Sequence, residues 1–212
     1  MATASLAPAV TLFQVDDFSS GVAGWAEGGP SPNPPLVADT GLSGGPYLRN
    51  DSAGGGGPGS RLVMWNDSQW TGDFIGAGVD AISFDALSTG LAPVDFRFAF
   101  DGPGGWFYTE SIRIDDFASG PDLTSFLLPI TSADLTHASG GSGVYADTMS
   151  GVTRMEIISS AGAPGTGVTP DVLRGDAIDA TLLVDNIRAI PEPGSLSLLL
   201  ASLVIAAGRR RR

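Results

Sequence analysis

Residues 94–100 read "VDFRFAF", and this stretch decides the fold class. Its apolar residues occupy every second position, with Asp95 and Arg97 between them. Because successive side chains of a β-strand point to opposite faces, the alternation predicts an antiparallel strand that buries one face. Further candidate strands lie at 60–65, 81–87, 110–115, 124–130, 153–159 and 181–190.

Turn-forming residues separate these strands. Clusters of glycine, proline and aspartate such as "DGPGG" (101–105) and "AGAPGTG" (161–167) lie between them. No long amphipathic helical pattern appears before residue 191. Seven or more short strands spaced in this way indicate an all-β fold, a two-sheet antiparallel β-sandwich of the jelly-roll type.

Composition limits the classes of function. The chain of 212 residues suits one domain, and the absence of cysteine excludes disulfides, thiolate zinc sites and cysteine nucleophiles. Lysine is also absent, and the residues before 191 carry 7 arginines against 22 carboxylates, a net charge of −15. Such a surface repels nucleic acid, so we expect no nucleic-acid partner, and it suits divalent cations and neutral glycans.

The C-terminal end has three distinct parts. Pro191, Glu192 and Pro193 precede an uncharged run of 13 residues, Ser195–Ala207. The run is followed by four arginines, Arg209, Arg210, Arg211 and Arg212. A 13-residue helix spans roughly 20 Å, and the long arginine side chains extend its reach to about 28 Å, close to the hydrocarbon core of a bilayer. We therefore predict a short transmembrane helix with a cytoplasmic arginine stop. The alternative is a buried C-terminal helix of the sandwich.

These three parts, in this order, resemble the PEP-CTERM sorting signal of Gram-negative bacteria. The resemblance covers residues 191–212 and implies recognition near the Pro-Glu-Pro motif by the membrane protease-transpeptidase exosortase. It further implies export across the inner membrane, transient anchoring there, and a final place at the cell surface or in an exopolysaccharide biofilm matrix. We therefore divide the chain into a leader remnant (1–11), a β-sandwich domain (12–190) and a sorting and anchor segment (191–212).

The N-terminal segment "MATASLAPAV" lacks the basic and apolar regions of an export signal. Our hypothesis is that the true start lies upstream of Met1. The alternative is a genuine start with a divergent signal.

Three further stretches resemble the galactose-binding-like jelly rolls found in many carbohydrate-binding modules. They are "VDDFSSGVAGW" (15–25), "GGPYLR" (44–49) and "TLLVDNIRAI" (181–190). The resemblance implies that the first and last strands lie side by side and flank a structural calcium ion. In the last strand Leu182 and Val184 share one face while Ile187 falls out of phase, which predicts a bulge near Asp185 and Asn186.

Calcium takes six to eight oxygen ligands, many of them carboxylates. Asp16 and Asp17 in the first strand and Asp185 in the last come together if these strands pair, and we predict them as the metal ligands. The alternative is that these carboxylates cap turns or accept backbone hydrogen bonds without a metal.

Aromatic side chains near loops are candidates for a sugar-binding platform, because sugar rings present apolar C–H faces. We predict Trp65, Trp70, Trp106 and Tyr108 as the ligand-binding residues and place Trp25 in the core. The alternative for each is core packing.

Catalysis has little support in the sequence. His137 is the only histidine, and no nucleophile-elbow motif accompanies it. We predict a non-catalytic, surface-sorted protein that binds or scaffolds extracellular polysaccharide. The alternatives are a structural biofilm-matrix protein with no specific glycan and a hydrolase.

Overall fold

The computed structural model describes residues 9–28, 31–39, 45–57, 59–90, 92–115, 122–166 and 173–191. Within these residues it has fifteen strands and two short helices. The strands are β1 (Val15–Asp16), β2 (Trp25–Ala26), β3 (Leu36–Ala38), β4 (Tyr47–Ala53), β5 (Val63–Asn66), β6 (Ala81–Ser88), β7 (Val94–Asp101), β8 (Trp106–Thr109), β9 (Ile112–Ile114), β10 (Thr124–Pro129), β11 (Leu135–Ser139), β12 (Arg154–Ser159), β13 (Gly165–Thr166), β14 (Leu173–Arg174) and β15 (Asp179–Ile190). The helices are α1 (Phe74–Ala77) and α2 (Tyr145–Met149).

The strands form two main antiparallel sheets. The first sheet has the order β10-β6-β15-β4-β3, with β1 also paired to β15. The second sheet has the order β11-β8-β7-β12-β5-β2, with β9 also paired to β7. A separate two-stranded hairpin is formed by β13 and β14. The predicted all-β, two-sheet antiparallel sandwich is confirmed.

Alternating side chains from both sheets fill the space between them. In β7 the residues Phe96, Phe98 and Phe100 are all buried, as the "VDFRFAF" pattern predicts. Phe84 of the first sheet stacks on Phe96 with ring centroids 4.3 Å apart, which joins the two layers. Burying side chains of this size contributes about 1.5–3 kcal/mol each, so this aromatic layer is a major source of stability.

The predicted pairing of the first and last strands is confirmed. Val15 lies opposite Arg188 and Asp16 lies opposite Ile187. The predicted bulge is confirmed as well, because the β15–β6 register shifts between Asp185 and Arg188. Asn186 has φ +50 there, a conformation that turns the strand and returns Ile187 to the core.

The sandwich begins earlier than the predicted boundary at residue 12. Val10 is buried in the core, and its amide donates to the carbonyl of Thr71. The predicted sorting residues Glu192 and Pro193, the apolar run and Arg209–Arg212 lie outside the described residues. Among the described residues, no helix has both the length and the apolar character that a membrane span requires.

Candidate functional site

The outer face of the second sheet carries most of the predicted ligand-binding residues. In β5, β7, β8 and β12 the core residues Met64, Phe98, Phe107 and Ile157 point inward. Their immediate neighbours in each strand therefore point outward, since side chains alternate. This places Trp65, Trp106 and Tyr108 on one surface, together with Glu156, Ile158 and Ala99. We call this surface the outer face.

A single cross-strand row runs through the centre of the outer face. Trp65 pairs with Glu156, Glu156 with Ala99, and Ala99 with Tyr108. Adjacent strands lie about 4.8 Å apart, so Trp65 and Tyr108 stand roughly 14 Å from each other. The row thus has an aromatic ring toward each end and a carboxyl group between them.

An arginine accompanies each of these two aromatic rings. The guanidinium carbon of Arg154 lies 5.0 Å from the centre of the Trp65 ring, and that of Arg97 lies 5.3 Å from the centre of the Tyr108 ring. Arg97 is buried and fixed by donation to the carbonyls of Ser160 and Thr109. These cation–π contacts hold both rings in place, and the half-buried guanidinium of Arg154 adds hydrogen-bond donors beside Trp65.

Glu156 is the most unusual group on the outer face. Its side chain is 0% exposed, and its Oε2 accepts a hydrogen bond of 3.3 Å from the amide of Leu173. Its Oε1 has no hydrogen-bond partner within the described part of the chain. Burial raises the pKa of Glu156 well above its ordinary value, and the nearby charge of Arg154 only partly opposes this. Because Oε1 is itself buried, a ligand does not reach it in this conformation.

The raised pKa of Glu156 gives a pH prediction. The folded state binds this proton more tightly than the unfolded state, so the stabilising contribution is complete below about pH 4.5 and is lost as the pH rises through the folded pKa. Glu156→Gln should therefore be more stable than the parent at pH 8 and gain nothing at pH 4.5. Urea denaturation at both pH values measures this.

Glu110→Gln serves as the matched control for that experiment, because Glu110 is exposed. It should follow the parent at both pH values. If Glu156→Gln and Glu110→Gln shift stability equally at pH 8, the burial of Glu156 does not govern the effect.

The hairpin of β13 and β14 lies against the outer face. Leu173 is 0% exposed and packs with Ala99, Trp106 and Ile158. Val63, Tyr108 and Ala138 surround this cluster at its edges. The outer face is therefore covered near its middle by a hydrophobic side chain.

Two of the predicted platform residues are not on an open surface. Trp106 is on the outer face but only 3% exposed, because Leu173 covers it. Trp70 is 0% exposed and belongs to the main core, where its indole donates to Asp16. The expectation of surface rings at these two positions was wrong. Trp65 and Tyr108 are half-buried, and their role in binding stays a prediction.

Asp16 does not fit the predicted role as a calcium ligand. Its Oδ2 accepts hydrogen bonds from the indoles of Trp25 at 2.9 Å and Trp70 at 2.7 Å, and the amide of Gln69 also donates to the carboxylate. Burial raises the pKa of Asp16, and the indole and amide donors oppose that rise. The carboxylate of Asp16 therefore already accepts hydrogen bonds from core side chains. One of them is Trp25, whose predicted place in the core is confirmed.

Asp17 and Asp185 have separate partners. Asp17 accepts hydrogen bonds from the backbone and hydroxyl of Ser19, which lower its pKa. Asp185 is buried, and its carboxylate accepts a hydrogen bond from the backbone amide of Asn186. Burial raises the pKa of Asp185, and the nearby charges of Asp85 and Asp17 add to this rise. No group of three or more His, Cys, Asp or Glu side chains suited to a metal occurs among the described residues. Calcium binding by Asp17 and Asp185 with backbone carbonyls stays a prediction.

Sequence reasoning missed Glu156, Arg154 and Leu173. The alternation in "TRMEIIS" does place Arg154 and Glu156 on the face opposite to Met155 and Ile157. The apolar Ile158 on that same outward side was a signal that something covers it. Nothing in the local pattern identifies Leu173 as the residue that does so.

Comparisons with known proteins agree with this architecture. No protein-family model matches the chain, and no curated protein matches it. The structure is similar to a family 11 carbohydrate-binding module from Clostridium thermocellum in complex with a β-1,3-1,4-mixed-linked tetrasaccharide, with 14% identity over 86% of this chain and 97% of the other, at a TM-score of 0.54. It is similar to a family 28 module specific for non-crystalline cellulose, with 15% identity over 87% and 97%, at a TM-score of 0.51.

The structure is also similar to an exo-β-agarase, with 17% identity over 86% of this chain but only 25% of the other, at a TM-score of 0.52. At these identities the likeness concerns the fold, which is the jelly-roll β-sandwich of carbohydrate-binding modules.

Proposed function

We propose that this protein is a non-catalytic glycan-binding β-sandwich that uses the outer face of its second sheet. The observation that carries the proposal is the pair of half-buried rings, Trp65 and Tyr108, which lie on one cross-strand row with an arginine beside each. An aromatic ring offers an apolar surface to the C–H face of a sugar, and the guanidinium of Arg154 beside Trp65 offers hydrogen bonds to its hydroxyls. A sugar ring, which has apolar C–H faces and hydroxyl groups around its rim, matches this combination.

Chemistry and the similar folds support one class of glycan. One protein of similar structure is in complex with a β-1,3-1,4-mixed-linked tetrasaccharide and another is specific for non-crystalline cellulose, so β-linked glucans are the first candidates. The body of the chain is strongly acidic, which disfavours anionic polysaccharides at the same surface. We therefore propose a neutral β-glucan as the ligand.

Replacement of Trp65 tests this function. Trp65→Ala should weaken retention on mixed-linkage β-glucan by about 5- to 30-fold, because an aromatic anchor in a binding site contributes on the order of 1–2 kcal/mol. Affinity electrophoresis in gels with and without soluble glucan measures the change. A melting curve on the same sample establishes that the variant is folded.

Phe13→Ala is the matched control, because Phe13 is a 57% exposed aromatic whose backbone joins β15 of the first sheet. It should migrate like the parent in both gels. Retention of Trp65→Ala equal to that of the parent would remove the outer face from the site.

A structural matrix role is the second candidate. The burial of Trp106 and Leu173 on the outer face favours it, since covered aromatic rings stabilise a fold without binding a ligand. A parent protein that is not retained by mixed-linkage glucan, amorphous cellulose or agarose would support this candidate over the first.

We propose further that the C-terminal tail directs sorting by exosortase to the cell surface or biofilm matrix. Glu192→Ala, or deletion of Arg209–Arg212, should leave unprocessed protein in the inner membrane of a Gram-negative host that has exosortase. Immunoblots of membrane and released fractions measure this. Release of both variants at the parent level would contradict the sorting role.

A further inference from the structure

The first sheet has a cleft of its own, at the bulge of β15. The register of β15 against β6 shifts between Asp185 and Arg188, and a cleft of about 250 Å³ lies beside this shift. We call it the bulge cleft. Its polar lining residues come from three neighbouring strands and are Ser83, Asp85, Ser125, Asn186 and Arg188.

Strand alternation turns the side chains of the bulge cleft toward solvent. Phe84 and Ile187 belong to the main core, so Asp85 and Arg188, which follow them, point to the opposite surface of the sheet. Arg188 and Ser125 are exposed, and the other three polar residues of the cleft are partly exposed. A ligand in solvent therefore has access to all five side chains.

The carboxylate of Asp85 is held in one orientation by two neighbours. Its Oδ1 accepts a hydrogen bond of 2.5 Å from the hydroxyl of Ser125, and its Oδ2 accepts one of 2.8 Å from the side-chain amide of Asn186. Each carboxylate oxygen accepts more than one hydrogen bond, so both oxygens retain capacity for a ligand. Asp85 is thus a preorganised acceptor for hydroxyl groups.

The bulge cleft has one accessible charge of each sign. Arg188 is exposed and forms no ion pair within the described part of the chain. Asp185 lies opposite Asp85 in the register, but it is only 2% exposed and a ligand does not reach it. An anion is repelled by Asp85 and a cation by Arg188, so the cleft favours a neutral ligand that both donates and accepts hydrogen bonds.

Exposed aliphatic side chains stand on both sides of the bulge cleft. Leu127 pairs with Ser83, Ser83 with Arg188, and Arg188 with Val15, which forms one cross-strand row. Leu127 is 44% exposed and Val15 is 39% exposed. At about 4.8 Å per strand these two side chains lie roughly 14 Å apart, where they offer apolar contacts to sugars next to the cleft.

We propose that the bulge cleft is a second glycan-binding site, which holds one neutral sugar unit through Asp85 and Arg188. Sugar hydroxyls donate to the carboxylate and accept from the guanidinium. The volume of the cleft is below the range of about 300–1,000 Å³ for drug-sized ligands, so it suits a single sugar unit. The choice of a β-glucan as the source of that unit rests on the proposed function.

The position of the bulge cleft gives this second site a distinct consequence. The two sheets pack about 10 Å apart, and the cleft and the outer face lie on opposite surfaces of the sandwich. One segment of a glycan chain cannot lie on both surfaces at once. A protein with both sites therefore connects two glycan chains.

Affinity electrophoresis of full-length Trp65→Ala tests the second site, because this variant lacks the main anchor of the outer face. It should keep a residual retention in gels that contain soluble mixed-linkage β-glucan. Adding Arg188→Ala should reduce that retention about tenfold, the effect of losing one hydrogen bond from a charged group. Adding Asp85→Asn, which preserves the shape of the side chain, should reduce it in the same way.

Arg49→Ala in the Trp65→Ala protein is the matched control. Arg49 follows the core residue Leu48, so it points to the same surface of the first sheet, but it lies outside the bulge cleft and pairs with Asp51. This double variant should migrate like Trp65→Ala, and melting curves establish that each protein is folded. Residual retention that is absent in Trp65→Ala, or that Arg188→Ala leaves unchanged, overturns the second site.

The same gels separate failure of the second site from failure of the proposed function. If Trp65→Ala weakens retention and Arg188→Ala has no effect in either protein, the proposed function stands and the second site is overturned. If Arg188→Ala weakens retention and Trp65→Ala does not, the second site stands and the outer face does not bind the glucan. A parent protein that the glucan does not retain overturns both.

Discussion

Replacing Asp16 with alanine should lower the free energy of unfolding by about 3–5 kcal/mol. The substitution leaves the indole N–H groups of Trp25 and Trp70 buried without an acceptor, since both rings are almost fully inaccessible. An unsatisfied buried donor costs about 1–3 kcal/mol, and two such donors are created at once. Chemical denaturation at pH 7 measures the loss. Removal of the burial cost of the Asp16 carboxylate, which its raised pKa indicates, offsets part of this loss.

Two substitutions isolate the cause of that loss. Asp16→Asn can place its one acceptor oxygen where Oδ2 lies and keep both indole bonds, but its amide group then faces the donating amide of Gln69. It should therefore lose less, on the order of 1–2 kcal/mol. Asp17→Ala changes the neighbouring exposed carboxylate, which bonds only to Ser19 among the described residues, and should cost about 1 kcal/mol or less. Equal stabilities of Asp16→Ala and Asp17→Ala would show that the indole bonds contribute nothing.

Asp16 and Asp17 also show what the sequence could and could not predict about the candidate calcium site. The sequence places Asp16 and Asp17 next to Asp185 because the first and last strands pair, and that pairing is real. However, adjacent residues of a strand face opposite sides, so only one of the two aspartates can point outward. Asp16 points into the core and meets Trp70, whose position after β5 is set by a loop that strand periodicity does not describe.

The fold was predictable because its signals are local. Period-two alternation in β7 and the phase break before Ile187 each lie within one strand, so they identify the buried faces and the bulge from a few residues. The outer face was predictable only in part, because the contacts that cover it come from distant parts of the sequence. The alternation in "WFYTE" puts Trp106 and Tyr108 on one side, but the burial of Trp106 depends on Leu173, which is distant in the sequence.

Trp106→Ala should lower the free energy of unfolding by about 3–5 kcal/mol, the usual cost of removing a buried tryptophan and leaving a cavity. The ring packs in one buried cluster with Ala99, Ile158 and Leu173, so its removal leaves a cavity there. Tyr108→Ala is the matched control, because the half-buried Tyr108 ring lies at the edge of the same cluster and should cost only about 1 kcal/mol. Denaturation curves of both variants measure the two free energies of unfolding. If Trp106→Ala is no less stable than Tyr108→Ala, the hairpin does not cover the ring, and Trp106 regains its place as a surface platform for sugars.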